Sequence, residues 1–262
     1  MKIVVCIKQV PDTNEVKLDP VKGTLIRDGV PSIINPDDKA GLEAALQIKD
    51  ETGAEVTVIS MGPPQADAAL REALAMGADD AYLVTDRAFG GADTLATSYT
   101  VAAGIKKIGD FDLIIAGRQA IDGDTAQVGP QIAEWLDIPN VSYAEDIKVD
   151  GDSIVVKRQY DDRYHTVRVQ MPCLVTALGE MNTPRYMTPG GIFDAYREKE
   201  VKIITRADVD VEDDKLGLKG SPTNVAQSFP KQLKPAGVKE TGLDAEGAAD
   251  YIVAKLKEKF VI

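Results

Sequence analysis

The stretch AGRQAIDGDTAQVGPQIAEWL, Ala116–Leu136, decides how this chain folds. Before it, FDLIIAG is a short apolar run that ends at Gly117; within it, Val128, Ile132 and Trp135 recur at helical spacing. A strand, a glycine-bearing turn and an amphipathic helix therefore follow one another. Pro130 is tolerated only near a helix start, so the free first-turn amides fall on Ala126–Gly129. Unpaired N–H groups and the helix dipole form an anion seat that needs no basic side chain. Yet the turn carries two carboxylates, Asp122 and Asp124. Asp124 or Thr125 is placed to cap the helix, Asp122 to reach ribose hydroxyls or a partner, and Arg118 to compensate charge. A capped helix with no ligand gives the same pattern, and the residues alone leave both readings open.

Working outward, the same alternation runs back to the N-terminus. IVVCI (Ile3–Ile7), EVTVISMG and AYLVT read as buried strands. DDKAGLEAALQIKDETG, PQADAALREALAMGAD and ADTLATSYTVAAGIKKIG read as helices, the first closed by Gly53. Apolar strands that each lead into a helix predict an open, mostly parallel sheet with helices on both faces. Ligands of such sheets sit outside the carboxyl ends of the strands, which directs attention to KQVPD, MGPPQ, DRAFGGADT and GRQAIDGDTAQ. Beyond Pro139 the period changes to two: VSYAEDIKV, SIVVKRQY, YHTVRVQM and CLVTAL predict an antiparallel strand appendage over about 141–178. Residues 206–242 hold few apolar side chains and predict an extended C-terminal arm. AEGAADYIVAKLKEKF closes the chain as a helix with Ile252, Leu256 and Phe260 on one stripe. The domain reading is thus 1–205 for the α/β part, including an irregular loop at about 180–200, and 206–262 for the arm and last helix.

Composition narrows the chemistry. Acidic residues outnumber basic ones 42 to 30, a net charge of −12, so no positive field offsets the phosphates of a nucleic acid. Cys6 and Cys173 stand far apart and outside any metal-ligand spacing, and His165, the only histidine, lies in an alternating strand. No metal site and no catalytic residue is predicted. Neither a GxxxxGK[ST] nor a GxGxxG after the first strand is present, which disfavours a Walker ATPase and an ordinary dinucleotide dehydrogenase. No segment reaches membrane-spanning length and no signal peptide is recognisable, so the expectation is a cytoplasmic protein without a membrane partner.

Several stretches resemble, in order, the β subunits of electron transfer flavoproteins: IVVCIKQVPD, INPDDKAGLEAAL (34–46), VISMGPPQADAALREALAMGAD (58–79), AGRQAIDGDTAQVGPQIAEWL and NTPRYM (182–187). The resemblance covers essentially the whole chain. It implies a Rossmann-like, adenine nucleotide-binding fold and a heterodimer with an α subunit that carries a redox-active FAD. The β site holds AMP in ordinary carriers and a second FAD in electron-bifurcating members. Carried over by position, that site falls on Cys6, on Asn35, Pro36, Asp37 and Asp38, on Met61, and on Gly117, Arg118, Gln119, Asp122, Gly123, Asp124, Thr125, Ala126, Gln127 and Val128. Plainer readings exist: Cys6 as a small packing residue, Asn35–Asp37 as a turn and cap, Met61 as core filler.

VTDRAFGGADTLATSY (84–99) discriminates between the two types. Gly90 and Gly91 allow close backbone approach, and Asp93 or Thr94 can cap the next helix, which gives a second anion-competent helix start. An ordinary glycine hinge with a cap is the alternative. The loop is similar to that of the bifurcating type, which implies NAD(H) beside the flavin at Phe89, Gly90, Gly91, Ala92, Asp93 and Thr94. The implied activity belongs to the heterodimer: electrons from NADH are split between an acyl-CoA dehydrogenase, by way of the α-subunit FAD, and ferredoxin or flavodoxin. The region GEMNTPRYMTPGGIF implies partner contacts at Glu180, Asn182, Pro184, Arg185, Tyr186, Ile192 and Phe193, with Glu180, Asn182 and Arg185 alternatively serving the subunit interface. The arm and last helix are expected to pack on the α subunit. Two other readings stay open: a non-bifurcating carrier with structural AMP, and a nucleotide-sensing module without a redox role.

Overall fold

Ile3, Val4 and Val5 are all buried, so β1 (Lys2–Cys6) meets core on both faces and has no wet side. The same is true of β4 (Glu55–Met61), β6 (Leu113–Gly117) and β10 (Cys173–Ala177). The computed structural model describes residues 1–12, 31–223 and 235–262. Toward one edge lie β5 (Asp80–Val84) and β11 (Val201–Ile204); toward the other lie β7 (Asn140–Asp150), β8 (Ser153–Gln159) and β9 (Tyr164–Gln170). Among the described residues these form one sheet of nine strands in the order β11-β5-β4-β1-β6-β10-β7-β8-β9. Pairing is parallel from β11 to β7 and antiparallel only in β7-β8-β9. β2 (Gln9–Pro11) and β3 (Ser32–Ile34) make a separate antiparallel pair.

Side chains alternate across each strand, which divides the core in two. Ile3, Val5, Leu113, Ile115 and Val175 face α1 (Pro36–Thr52) and α2 (Asp67–Met76) through Leu42, Leu46 and Leu70. Val4, Ile59, Ile114 and Leu174 face α3 (Thr94–Ile108) and α4 (Val128–Leu136) through Val101, Ile105 and Ile132. Full burial of each large aliphatic side chain contributes about 1.5–3 kcal/mol, so both faces are needed to hold the sheet. Pro36 starts α1, with Asp37 and Asp38 in its positive first turn, and Gly53 ends it at φ 72°.

The fold is the α/β class expected, with three differences. CLVTA is not part of the antiparallel appendage: β10 pairs in parallel with both β6 and β7, so only β8 and β9 extend the edge as hairpin strands. The irregular loop expected around 180–200 contains α5 (Pro189–Arg197), capped by Thr188 and packed on α2 through the Arg71 guanidinium over the Tyr196 ring at 5.2 Å. The arm expected from 206 begins later. Val209, Val211 and Leu216 are buried in the α3 and α4 layer, three widely spaced anchors that local composition conceals.

The compact units divide between Gln227 and Ser228. Of the expected arm, residues 224–234 lie outside the described residues. The second unit holds α6 (Ala245–Glu258), capped by the Asp244 carboxylate on the Gly247 amide; Phe260, at φ 56°, lies past its end and off the helical stripe.

Candidate functional site

The chain leaves β1 through α1 toward β4 on one side, while β6, on the other side of β1, is reached from β5 through α3 on the opposite face. The carboxyl ends of β1 and β6 therefore bound a topological switch point, the place where sheets of this kind form their ligand crevice. Cys6 and Gly117 end these two strands, and Met61 ends β4 beside them. The Cys6 thiol is pushed up to about 12 by burial and by the neighbouring Asp38 carboxylate, so it stays protonated and unreactive near neutral pH.

The first turn of α1 fastens the crevice wall. Asp38 is buried and accepts the backbone N–H of Lys8 at 2.7 Å and of Gly117 at 3.1 Å. Asn35 donates to the Gln119 carbonyl at 2.8 Å and accepts the Ile121 amide at 3.0 Å. Asn35 thus stands at the cap position of α1 but makes no cap bond; its amide group is used to hold the β6–α4 loop. Asp37 faces Arg118 at 3.2 Å, and burial raises its carboxyl although Arg118 opposes the shift. Asp37 Oδ2 and Arg118 Nε are buried and complete no hydrogen bond among the described residues, so this end of the crevice keeps polar capacity for a ligand.

The loop carries the two carboxylates on tasks different from those expected. Asp122 does not face outward: Lys8 Nζ binds both of its oxygens at 2.7 and 2.9 Å. Asp124 and Thr125 do not cap α4. Asp124 is left-handed at φ 49° and accepts Gln119 Nε2 at 2.9 Å, while Gln127 takes the cap position without a side-chain cap bond. Ala126 is also left-handed at φ 52°, and Gln127 returns to the right-handed region at φ −108°. A left-handed residue followed by a right-handed one turns successive N–H groups inward as an anion-binding nest. The amides of Ala126, Gln127, Val128 and Gly129 have no acceptor among the described residues. Two non-glycine residues held left-handed cost about 1–2 kcal/mol each, and such strain at a loop beside a crevice points to a binding task. The residues present therefore fit a nucleotide phosphate.

The 86–94 loop touches this wall at one point, where Thr94 Oγ1 donates to Gln127 Oε1 at 2.9 Å. Its helix start is not an open anion seat. The Asp93 carboxylate accepts the amides of Leu95 and Ala96 at 3.0 and 3.1 Å, and Thr223 donates to it from Oγ1 at 2.7 Å. Burial raises the Asp93 carboxyl, but these bonds outweigh it and hold the group below the usual range. A second anion on those amides would meet a fixed carboxylate. Phe89 is buried in the α3 and α4 layer, while Gly90 and Gly91 are exposed and Ala92 is half-buried.

The residues expected to meet a partner fall into two groups, some engaged within the chain and others exposed. Arg185 binds the Glu43 carboxylate through Nε at 2.9 Å and Nη2 at 3.1 Å, and reaches Asp50 at 2.8 Å. Burial raises Glu43, yet its bonds from Arg185 hold the carboxyl below its ordinary value. Asn182 donates to the Ala40 carbonyl at 2.9 Å. Both side chains are thus engaged within the chain, fastening 182–185 to α1. Glu180 lies near Asp37 and acts on its ionisation, and Pro184 sits in the same segment. Tyr186, Ile192 and Phe193 remain exposed, the last two on α5, where Gly191 has no room for a Cβ against the Ala75 carbonyl and so serves packing, not flexing. Arg185→Ala is expected to leave the Glu43 carboxylate buried without its partner and to cost about 1–3 kcal/mol in chemical denaturation; an unchanged midpoint would contradict that role.

Sequence reading missed Lys8, whose backbone and side chain both serve the crevice, and Ser221 and Thr223, which bind the 86–94 loop from 128 and 130 residues away. Lys8 was signalled by its place just after a strand; the other two carry no local signal.

A doubly wound sheet with a polar clasp and a free amide nest at its switch point defines an α/β protein with an anion-competent ligand crevice. Its family is shown by comparison with known proteins: the electron transfer flavoprotein domain matches residues 22–209, and the chain belongs to the electron transfer flavoprotein family. It is 62% identical over 262 residues to an electron transfer flavoprotein subunit beta of Clostridium acetobutylicum, with both chains fully covered. It is 58% identical over 263 residues to the caffeyl-CoA reductase-Etf complex subunit CarD of Acetobacterium woodii, again over the whole of both chains. An acryloyl-CoA reductase electron transfer subunit gamma of Anaerotignum propionicum is 50% identical over 269 residues, with full coverage of each. Among the described residues, no helix is long and apolar enough to cross a membrane.

Proposed function

We propose that this chain is the β subunit of a cytoplasmic, heterodimeric electron transfer flavoprotein of the electron-bifurcating type. With its α subunit it takes electrons from NADH and divides them between an acyl-CoA dehydrogenase, through the α-subunit FAD, and ferredoxin or flavodoxin. The observation that carries the reading is the amide nest at Ala126–Gly129, set at the switch point and fastened by Asn35 and Asp38. The reductase-complex names of the relatives from Acetobacterium woodii and Anaerotignum propionicum support an acyl-CoA partner.

FAD bound in the crevice would supply the hydride and single-electron chemistry. The chain's own part is to bind and orient. The amides of Ala126–Gly129 would hold the pyrophosphate, Arg118 and Asp37 would supply polar contacts, and the wall ending at Cys6 and Met61 would keep water out. No proton need be held by a side chain at a reacting atom, which accords with a Cys6 thiol that stays neutral. Flavin released from the purified heterodimer by denaturation is expected at two FAD per αβ pair; one FAD with one AMP would replace this reading with the non-bifurcating carrier.

Gly91 adopts φ 73°, and a Cβ there would come within 3.2 Å of Leu218 Cβ. Gly91→Val forces a β-branched residue into the left-handed region and presses it on Leu218. Reduction of the flavin by NADH is expected to slow by roughly tenfold, given about 1–2 kcal/mol of strain in the loop. Flavin content is expected to hold. Unaltered NADH kinetics would remove the loop from the donor site.

A further inference from the structure

With its first-turn amides taken by Asp93, α3 offers no seat for a second phosphate. A groove of about 500 Å³ is lined by Arg87, Ala88 and Gly90 on one side and by residues of the segment 213–219 on the other, with Arg206 and Asp213 also among its lining. Its walls are tied together. Leu218 donates its amide to the Gly90 carbonyl at 3.0 Å. Gly217, at φ 52°, has no room for a Cβ, which would lie 2.8 Å from the Gly90 carbonyl oxygen and closer still to that of Ala88. Just beyond, the Asp93 amide donates to Ser221 Oγ at 2.8 Å.

The charges that line the groove are not equivalent. Arg206 is engaged: Nε binds Asp213 at 2.6 Å, and its other nitrogens reach the carbonyls of Val209 and Val211 at 3.1 and 2.8 Å. Asp86, next to the groove, is engaged by the Ala88 and Arg206 amides at 2.9 and 3.2 Å. Arg87 and Lys219 are left, one on each wall, with no acidic partner among the described residues. Leu216 and Leu218 supply apolar lining, and Leu218 is 65% exposed. In a chain of net charge −12, two cations without an acidic partner among the described residues that line one groove with Leu216 and Leu218 form a local exception.

The geometry points to a phosphate subsite for a nucleotide: Arg87 and Lys219 hold one phosphate from opposite walls, and the exposed Leu218 side chain takes the face of the base or sugar. A guanidinium and an ammonium on the same phosphate give charge-assisted hydrogen bonds, the stronger kind. The site rests on the proposed function only for the source of that phosphate, which is either the donor dinucleotide or a separate adenine nucleotide.

The test is titration of the intact holo-heterodimer with ADP, followed by calorimetry, in the parent protein and in Arg87→Gln, Lys219→Gln, the double variant and Arg87→Lys. The dissociation constant for ADP is expected to rise about tenfold or more in the double variant, to recover in part with Arg87→Lys, and to weaken with added salt. ADP that competes with NADH identifies the donor as the source; ADP that binds without competing identifies a separate nucleotide. Either result supports the groove. If NADH does not reduce the heterodimer at all, the donor reading fails while the ADP titration still decides the groove. Equal ADP affinity in the parent and double variant, no ADP binding to the parent, or ADP that enters only by displacing the nucleotide of the main crevice would overturn the proposal.

Discussion

Gly117→Ala is expected to empty the crevice of its nucleotide and to destabilise the chain by about 1–3 kcal/mol, the usual cost of forcing a methyl group into a packed site. A Cβ at 117 would fall on the Asp38 carboxylate and lie 2.7 Å from the Asp38 amide nitrogen and 2.9 Å from the Asp37 carbonyl carbon. Two of these neighbours are backbone of the first turn of α1, so relief means moving the helix away from β6 and opening the Gly117–Asp38 bond. Gly123→Ala is the control, because a Cβ there meets nothing within 4 Å. Thermal unfolding and nucleotide content measured on both separate the outcomes. If Gly117→Ala kept its nucleotide and its melting temperature, the close approach of α1 would not be what shapes the crevice.

Asp38 should give a pH-dependent stability unlike that of an ordinary carboxylate. Burial lifts its pKa from 3.8 to about 7, against the opposing pull of its bonds from Asn35, Lys8 and Gly117. Because the folded value is raised, the fold favours the protonated form. Its contribution is complete below the ordinary carboxylate range and is lost as pH climbs through about 7. Asp38→Asn keeps an acceptor and removes the titration, so this variant is expected to gain stability relative to the parent between about pH 4 and 7, levelling off above. Asp38→Ala instead orphans the Lys8 and Gly117 amides, and about 2–4 kcal/mol of stability should disappear near pH 4, where no buried charge is relieved. Parallel melting curves for the parent and the Asn variant across that range would show that Asp38 does not titrate with folding.

The architecture was legible because a doubly covered parallel sheet writes itself as continuous apolar strands: IVVC, LIIA and their neighbours leave no polar period. The pairing direction of β10 is hidden for the same reason. CLVTA is equally apolar in either direction of pairing, and nothing local says that it inserts between β6 and β7. The position of the crevice followed from strand order alone. The jobs of its side chains did not, since they depend on contacts between distant residues: Lys8 with Asp122, Asn35 with Ile121, Asp93 with Thr223. Asp124 looked like a cap because it precedes a helix, and only its left-handed φ reveals the nest that displaces it. Val209, Val211 and Leu216 stand in a segment whose composition predicts an arm, because three anchors in a polar stretch show no period.

The nest before α4 is made of peptide groups, and peptide groups are the one part of a protein that substitution cannot delete. A lysine that grips a phosphate can be lost in one mutation or silenced by acetylation; the N–H groups of Ala126, Gln127, Val128 and Gly129 remain whatever side chains stand there, proline excepted. Nor do they titrate, so their polarity is the same in acid and in alkali for as long as the chain stays folded. Inheritance can only re-aim such a seat, through the backbone angles at Asp124 and Ala126, and never discharge it.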